Sequence, residues 1–116
     1  MLFRSGVDLS NVVRVFSTKY AFAALKSDHT VVSWGNTRLG GDASEVDLTN
    51  VVSVFSTDGA FAALKADHTV VTWGHARLGG DATGKNLCEV ENVFSTKYAF
   101  AALKFDHTVV AWGDSN

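Results

Sequence analysis

Residues 15–35 read VFSTKYAFAALKSDHTVVSWG, and almost the same string returns as VFSTDGAFAALKADHTVVTWG at 54–74 and VFSTKYAFAALKFDHTVVAWG at 93–113. The step is 39 residues both times. A unit of that length is one supersecondary block. It cannot bury its apolar surface alone and must stack on copies of itself.

Inside each unit three short runs rich in β-branched and aromatic residues are bounded by turn formers, the signature of strands. They are Val12–Thr18, Ala21–Ser27 and Thr30–Trp34; Val51–Thr57, Ala60–Ala66 and Thr69–Trp73; and Val90–Thr96, Ala99–Phe105 and Thr108–Trp112. The second and third runs are joined at Asp28-His29, Asp67-His68 and Asp106-His107. The spacing predicts a two-residue hairpin of type I′, with positive φ at both residues, which Asp and His tolerate at about 1 kcal/mol. After each Trp-Gly comes a turn-rich loop, RLGGDAS at Arg38–Ser44 and RLGGDAT at Arg77–Thr83, and VDLTN at 46–50 leads into the next first strand. There is no proline and no helical periodicity of useful length, so the chain is expected to be all-β.

AFAAL and TVV are apolar at successive positions, whereas a sheet with one wet face would alternate. Strands covered on both faces fit a sheet held between two others, which is a propeller blade. The alanines at 60, 62 and 63 are expected where blades crowd near an axis, with Phe61, Leu64 and Trp73 filling wider space.

The pattern V-x-V-F-S-T … A-x-A-A-L-K-x-D-H-T-V-V-x-W-G resembles the repeat of the regulator of chromosome condensation family. That repeat has an Ala-Leu strand, an Asp-Gly turn and a Val-x-x-Trp-Gly strand. The short period and three strands per unit are closer to the bacterial beta-lactamase inhibitors built on it, which are seven-bladed propellers. The resemblance spans Val7 to Gly113. It implies three blades of a β-propeller, each a three-stranded antiparallel sheet, and a role as exchange factor, inhibitor or interaction platform. Function does not follow from such a fold alone. The usual turn glycine is replaced by His29, His68 and His107.

The chain is expected to be one repeat domain, 1–116, with units of about 7–45, 46–84 and 85–116. Closed propellers have four to eight blades. Three units are therefore expected either as part of a longer array or as a ring completed by further copies, six blades from two chains or nine from three. The alternative fold is a β-trefoil, which needs a fourth strand per unit. The polar, Gly-rich 76–87 segment offers none.

Composition excludes several classes. The net charge is −2 and no Lys/Arg cluster occurs, so neither nucleic acid nor an anionic membrane is an expected partner. No apolar run is long enough to span a bilayer as a helix. Met1 to Ser5 is too short for a secretory leader, so none is expected. The lone Cys88 cannot form an intrachain disulfide and leaves the compartment open.

No catalytic residue, cofactor or metal site is expected. The three Asp-His pairs contain metal-ligand types, but they recur at equivalent turns of successive blades, too far apart to share an ion. Gly40–Asp42 and Gly79–Asp81 read as turns, since calcium-binding Gly/Asp repeats recur every nine residues rather than 39. Ser17, Ser56 and Ser95 repeat identically, which suits a strand end better than a unique nucleophile. Cys88 stands where Ser10 and Thr49 stand, as a small tolerated side chain. Trp34, Trp73 and Trp112 each close a strand and read as packing residues.

The units differ mostly at predicted strand ends and loops, where rigid scaffolds carry recognition. Tyr20, Tyr98, Arg38, Arg77 and the extra His75 are therefore the candidates for partner contact, by residue type and position. The expected function is a non-catalytic protein-interaction module. A self-assembling structural repeat whose apolar end blades join other copies, and a carbohydrate-binding module using tryptophan or tyrosine platforms, are the alternatives.

Overall fold

A computed structural model describes residues 10–37, 43 and 46–113. Nine strands form three separate antiparallel sheets: β1 (Val12–Ser17), β2 (Ala21–Lys26) and β3 (Val31–Gly35); β4 (Val51–Ser56), β5 (Ala60–Lys65) and β6 (Val70–Gly74); β7 (Val90–Ser95), β8 (Ala99–Lys104) and β9 (Val109–Gly113). In each sheet the strands lie in chain order, joined by hairpins. The sheets stack as successive blades in an open arc, and the first strands β1, β4 and β7 come nearest to one another. Three unshared sheets exclude the trefoil. The alanine-rich strand is the middle one of its blade rather than the innermost. Its alanines serve both faces: Ala63 packs toward the first blade, Ala60 and Ala62 toward the third.

Register repeats from blade to blade. Phe22, Phe61 and Phe100 oppose Trp34, Trp73 and Trp112 across the second hairpin with ring centroids 5.3–5.5 Å apart, the first two pairs stacked and the third tilted. Each first strand carries a bulge, between Val12 and Arg14, Val51 and Ser53, and Val90 and Asn92. A bulge adds local twist, which bends the innermost strand away from its neighbour.

Two apolar seams hold the arc. In one, Ala21, Ala23, Leu25 and Val31 of the first blade meet Val51, Val54, Phe61 and Trp73 of the second. In the other, Ala60, Ala62 and Val70 meet Val90, Val93, Phe100 and Trp112. Burying a Phe, Val or Leu side chain is worth roughly 1.5–3 kcal/mol, against about 1 kcal/mol net for a hydrogen bond. The seams therefore decide the stacking, and the inter-blade hydrogen bonds set its register.

The Asp-His hairpins depart from the expected type. Only the histidines are left-handed, with φ of 68°, 68° and 72°. His29 N–H donates to the Lys26 carbonyl (2.9 Å) and Lys26 N–H to the Thr30 carbonyl (2.9 Å). This is a three-residue loop, a type I turn followed by one left-handed residue in a bulge. The aspartate contributes its side chain instead: Asp28 Oδ1 accepts from both the N–H and the hydroxyl of Thr30, at 3.1 and 2.6 Å. Asp67 and Asp106 do the same for Thr69 and Thr108.

A second left-handed position precedes each first strand, at Asn11 (φ 60°), Asn50 (φ 57°) and Glu89 (φ 57°). Asparagine visits that region readily; glutamate does not. Replacing exposed Glu89 by Asn is therefore expected to stabilise the chain by about 0.5–1 kcal/mol, read as a higher urea midpoint at unchanged slope. The bond this residue makes, Phe105 N–H to the Glu89 carbonyl at 3.1 Å, is backbone only and survives the change.

Candidate functional site

The upper rim gathers the β1–β2, β4–β5 and β7–β8 turns and the ends of the third strands. Its order follows from hydrogen bonds. Lys19 N–H donates to the Asp58 carbonyl (2.9 Å) and Asp58 N–H to the Lys97 carbonyl (2.8 Å), tying the three turns in a row. Asn36 N–H donates to the Tyr20 carbonyl and His75 N–H to the Gly59 carbonyl, at 2.9 and 2.8 Å, so the Trp-Gly ends of the first two blades are fastened beside their turns. Inside the turns Thr18, Thr57 and Thr96 accept from the N–H of Ala21, Ala60 and Ala99.

Four of the five predicted contact residues lie on this rim. Tyr20 and Tyr98 occupy equivalent turns of the first and third blades, 62% and 41% exposed. Between them the second blade has Gly59, with no side chain. His75 and exposed Arg77 belong to the loop after β6, where a short 3-10 helix, Ala76–Leu78, is capped by His75 Nδ1 accepting from Arg77 N–H (3.2 Å). Arg38 lies outside the described residues.

The loop's glycines are structural. Gly79 is left-handed (φ 106°), and a Cβ there would stand 2.3 Å from the Phe100 ring. A Cβ on Gly80 would stand 2.3 Å from the Gly74 carbonyl oxygen. The Gly79 carbonyl accepts from Trp112 Nε1 at 3.0 Å, and the Leu78 carbonyl from the Thr57 hydroxyl at 2.6 Å. The loop thus clamps the second blade to the third. The Gly40–Asp42 counterpart lies outside the described residues. Trp73 and Trp112 are buried, so neither offers a free face to a sugar ring.

The lower rim carries the Asp-x-Thr turns of Asp28, Asp47, Asp67 and Asp106, and Asp81 repeats the motif in the loop after β6. Asp28, Asp47, Asp67, Asp81 and Asp106 are all held below the ordinary carboxylate value, chiefly by the hydroxyl of the threonine two residues on and then by its N–H. Asp47 also pairs with the buried Lys65, whose Nζ lies 3.5 Å from Oδ2 and donates to the Asp47 carbonyl at 3.2 Å. In the third unit Asn86 and Cys88 replace Asp47 and Thr49, and the thiol takes the hydroxyl's place, with Sγ 2.8 Å from Asn86 Oδ1. Among the described residues no group of three or more His, Cys, Asp or Glu side chains could hold a metal ion, and no helix is long and apolar enough to cross a membrane.

Sequence reasoning named no residue of the other exposed feature, the outer faces of the end blades. Val15 and Phe22 stand exposed on the first blade, and Phe94 and Val109 on the third. Beneath Phe94 lies a groove of about 200 Å³ lined by Phe94, Thr96, Ala99, Ala101 and Ala111. Comparing letter-identical positions between blades would have pointed to these faces, had the stacking direction been known.

No protein-family profile matches the chain, and no curated protein matches its sequence. Solved structures do match. A chain of the complex of Kap60 with yeast RCC1 (Prp20) aligns with a TM-score of 0.70 at 20% identity, over 88% of this chain and 29% of that one. Prp20p of Saccharomyces cerevisiae, described with its binding to Gsp1p and histones, aligns at 0.62 and 18% identity, over 92% and 32%. Human WBSCR16 aligns at 0.64 and 20% identity, over 92% and 34%. The blades of this chain have the fold of RCC1-type repeats, and the chain spans about a third of the length of these structures.

Proposed function

We propose that the chain is a non-catalytic protein-interaction module that meets a partner protein through its upper rim. The carrying observation is the pair Tyr20 and Tyr98, exposed at equivalent turns that backbone hydrogen bonds lock in register. Tyrosine gives large contact area at low entropic cost, and arginine adds directed hydrogen bonds; both are enriched where binding energy concentrates. His75 and Arg77 extend the same rim on a loop clamped at both ends. Protein partners are also the recorded ligands of the RCC1 structures, Kap60 for one and Gsp1p and histones for the other.

The test is affinity capture with the wild-type chain beside a Tyr20→Ala/Tyr98→Ala variant of unchanged thermal stability. Proteins held by the first and lost by the second support the reading. Identical sets from both count against the rim as the contact surface.

A further inference from the structure

The turn that leads into the third blade repeats the one that leads into the second, with its chemistry changed. Val31 N–H donates to the Leu48 carbonyl (3.1 Å) and Val70 N–H to the Leu87 carbonyl (3.0 Å), so both turns are pinned at the same point. Lys65 faces Val51 in the ladder and Lys104 faces Val90, and each lysine is 9% exposed. The backbone therefore brings Lys104 to Asn86 as it brings Lys65 to Asp47. Each lysine also acts on the aspartate of its own hairpin. Asp67 and Asp106, held low chiefly by the hydroxyls of Thr69 and Thr108, are lowered further by the charges of Lys65 and Lys104.

What the two lysines meet is different. Asp47 gives Oδ1 to Thr49 and keeps Oδ2 for the Lys65 ammonium, 3.5 Å away. Asn86 gives Oδ1 to Cys88 in the same way, accepting from its N–H at 3.2 Å, with Sγ at 2.8 Å. The second atom of that side chain is then an amide nitrogen, a donor where the carboxylate has an acceptor. Among the described residues Lys104 accordingly has neither an ion pair nor a side-chain hydrogen bond. A lysine so covered is ordinarily paired. Its tip is not sealed, because no fully buried side-chain nitrogen or oxygen is left without a partner. The stem is covered and the ammonium reaches water. On the other side of the same amide stands the exposed thiol of Cys88.

We infer that this turn is a modification site, where Cys88 forms a mixed disulfide with a small thiol acid whose carboxylate pairs with Lys104. That carboxylate takes the position the Asp47 side chain holds in the preceding unit, with the Asn86 amide as a second donor. The co-reactant is a small disulfide bearing a carboxylate on each half. The Cys88 sulfur, its proton lost to water, attacks one sulfur of that disulfide. A new S–S bond forms as the old one breaks, and the other half leaves as a thiolate that takes up a proton. The disulfide is the oxidant. The site lies on the lower rim, so it does not depend on the contact role of Tyr20 and Tyr98.

Mass measurement of the intact chain tests it, since a single cysteine makes every adduct countable. Dithiodipropionate, a dianionic disulfide, is set against 2-hydroxyethyl disulfide, which is neutral. Rates are referred to those of the free thiol N-acetylcysteinamide, so that only the protein's preference remains. The wild-type chain should favour the dianion by about 10-fold. Lys104→Met keeps a covered stem without its charge and should abolish the preference. Asn86→Asp, the residue the second unit already carries, should abolish it too and keeps the test open if Lys104→Met fails to fold. Lys85→Met removes an exposed charge three residues from Cys88 and should leave the preference intact. The carboxylate adduct should also melt above the neutral one in the wild type, but not in Lys104→Met. A preference that survives Lys104→Met, one lost equally in Lys85→Met, or two adducts that melt alike would each overturn the inference.

Discussion

Replacing Gly74 by alanine is expected to cost about 3 kcal/mol or more, a drop in melting temperature of roughly 10 °C or more. The residue has φ of 114°, outside the regions open to side-chain-bearing residues, and an added Cβ would stand 2.6 Å from the Gly59 carbonyl oxygen and 2.7 Å from the Ala60 Cα. Both neighbours are backbone, held by the His75 N–H bond to Gly59 and by Ala60 facing Gly74 in the ladder, so neither can swing aside. Gly84 is the control. It also has positive φ, 81°, but a Cβ there meets nothing within 4 Å. Gly84→Ala should lose only about 1 kcal/mol, the conformational part alone. Thermal or urea unfolding of the two variants separates crowding from backbone preference. Equal losses would mean that the Trp-Gly end is looser than its contacts indicate.

Much of this architecture was legible before any coordinates, for a physical reason. Val-rich runs broken by Asp-His and by Thr-Lys-Tyr or Thr-Asp-Gly put the strand ends within a residue of where they lie. The propeller followed from AFAAL being apolar on both faces, and the middle blade is indeed covered on both. The turn type was not legible, because an Asp-His pair is compatible with two loop lengths. The choice was made by Lys26 N–H reaching Thr30 and by the aspartate carboxylate spending its capacity on the threonine.

The end faces were hidden for a different reason. Phe22, Phe61 and Phe100 sit in the same word, AFAALK, yet one is exposed and two are buried. Local sequence sets which face a side chain takes. It does not state whether another blade stands opposite, since that depends on place in the stack. Tyr20, Tyr98 and His75 stood out because the repeat changes at their positions, Arg77 by its residue type in the loop, and the hydrogen bonds across the turns place them on one rim. That feature was readable as difference, and the seam residues were unreadable because they do not differ.

Trp73→Ala should destabilise the chain by about 3–5 kcal/mol, as large-to-small changes at fully buried aromatics do. The indole is buried in the first seam, stacked on Phe61 at 5.3 Å, and clustered with Ala21, Ala23 and Leu25 across the seam. Its loss removes apolar burial and leaves a cavity that two backbone-pinned sheets cannot collapse to fill. Trp34 has the same sequence surroundings and an equivalent stacking partner, Phe22 at 5.5 Å, but is only half-buried. Trp34→Ala should therefore cost well under half as much. Denaturation of the two variants side by side reads both effects. A Trp73 penalty near zero would contradict the seam itself. A Trp34 penalty equal to that of Trp73 would mean that burial in the seam does not decide the cost.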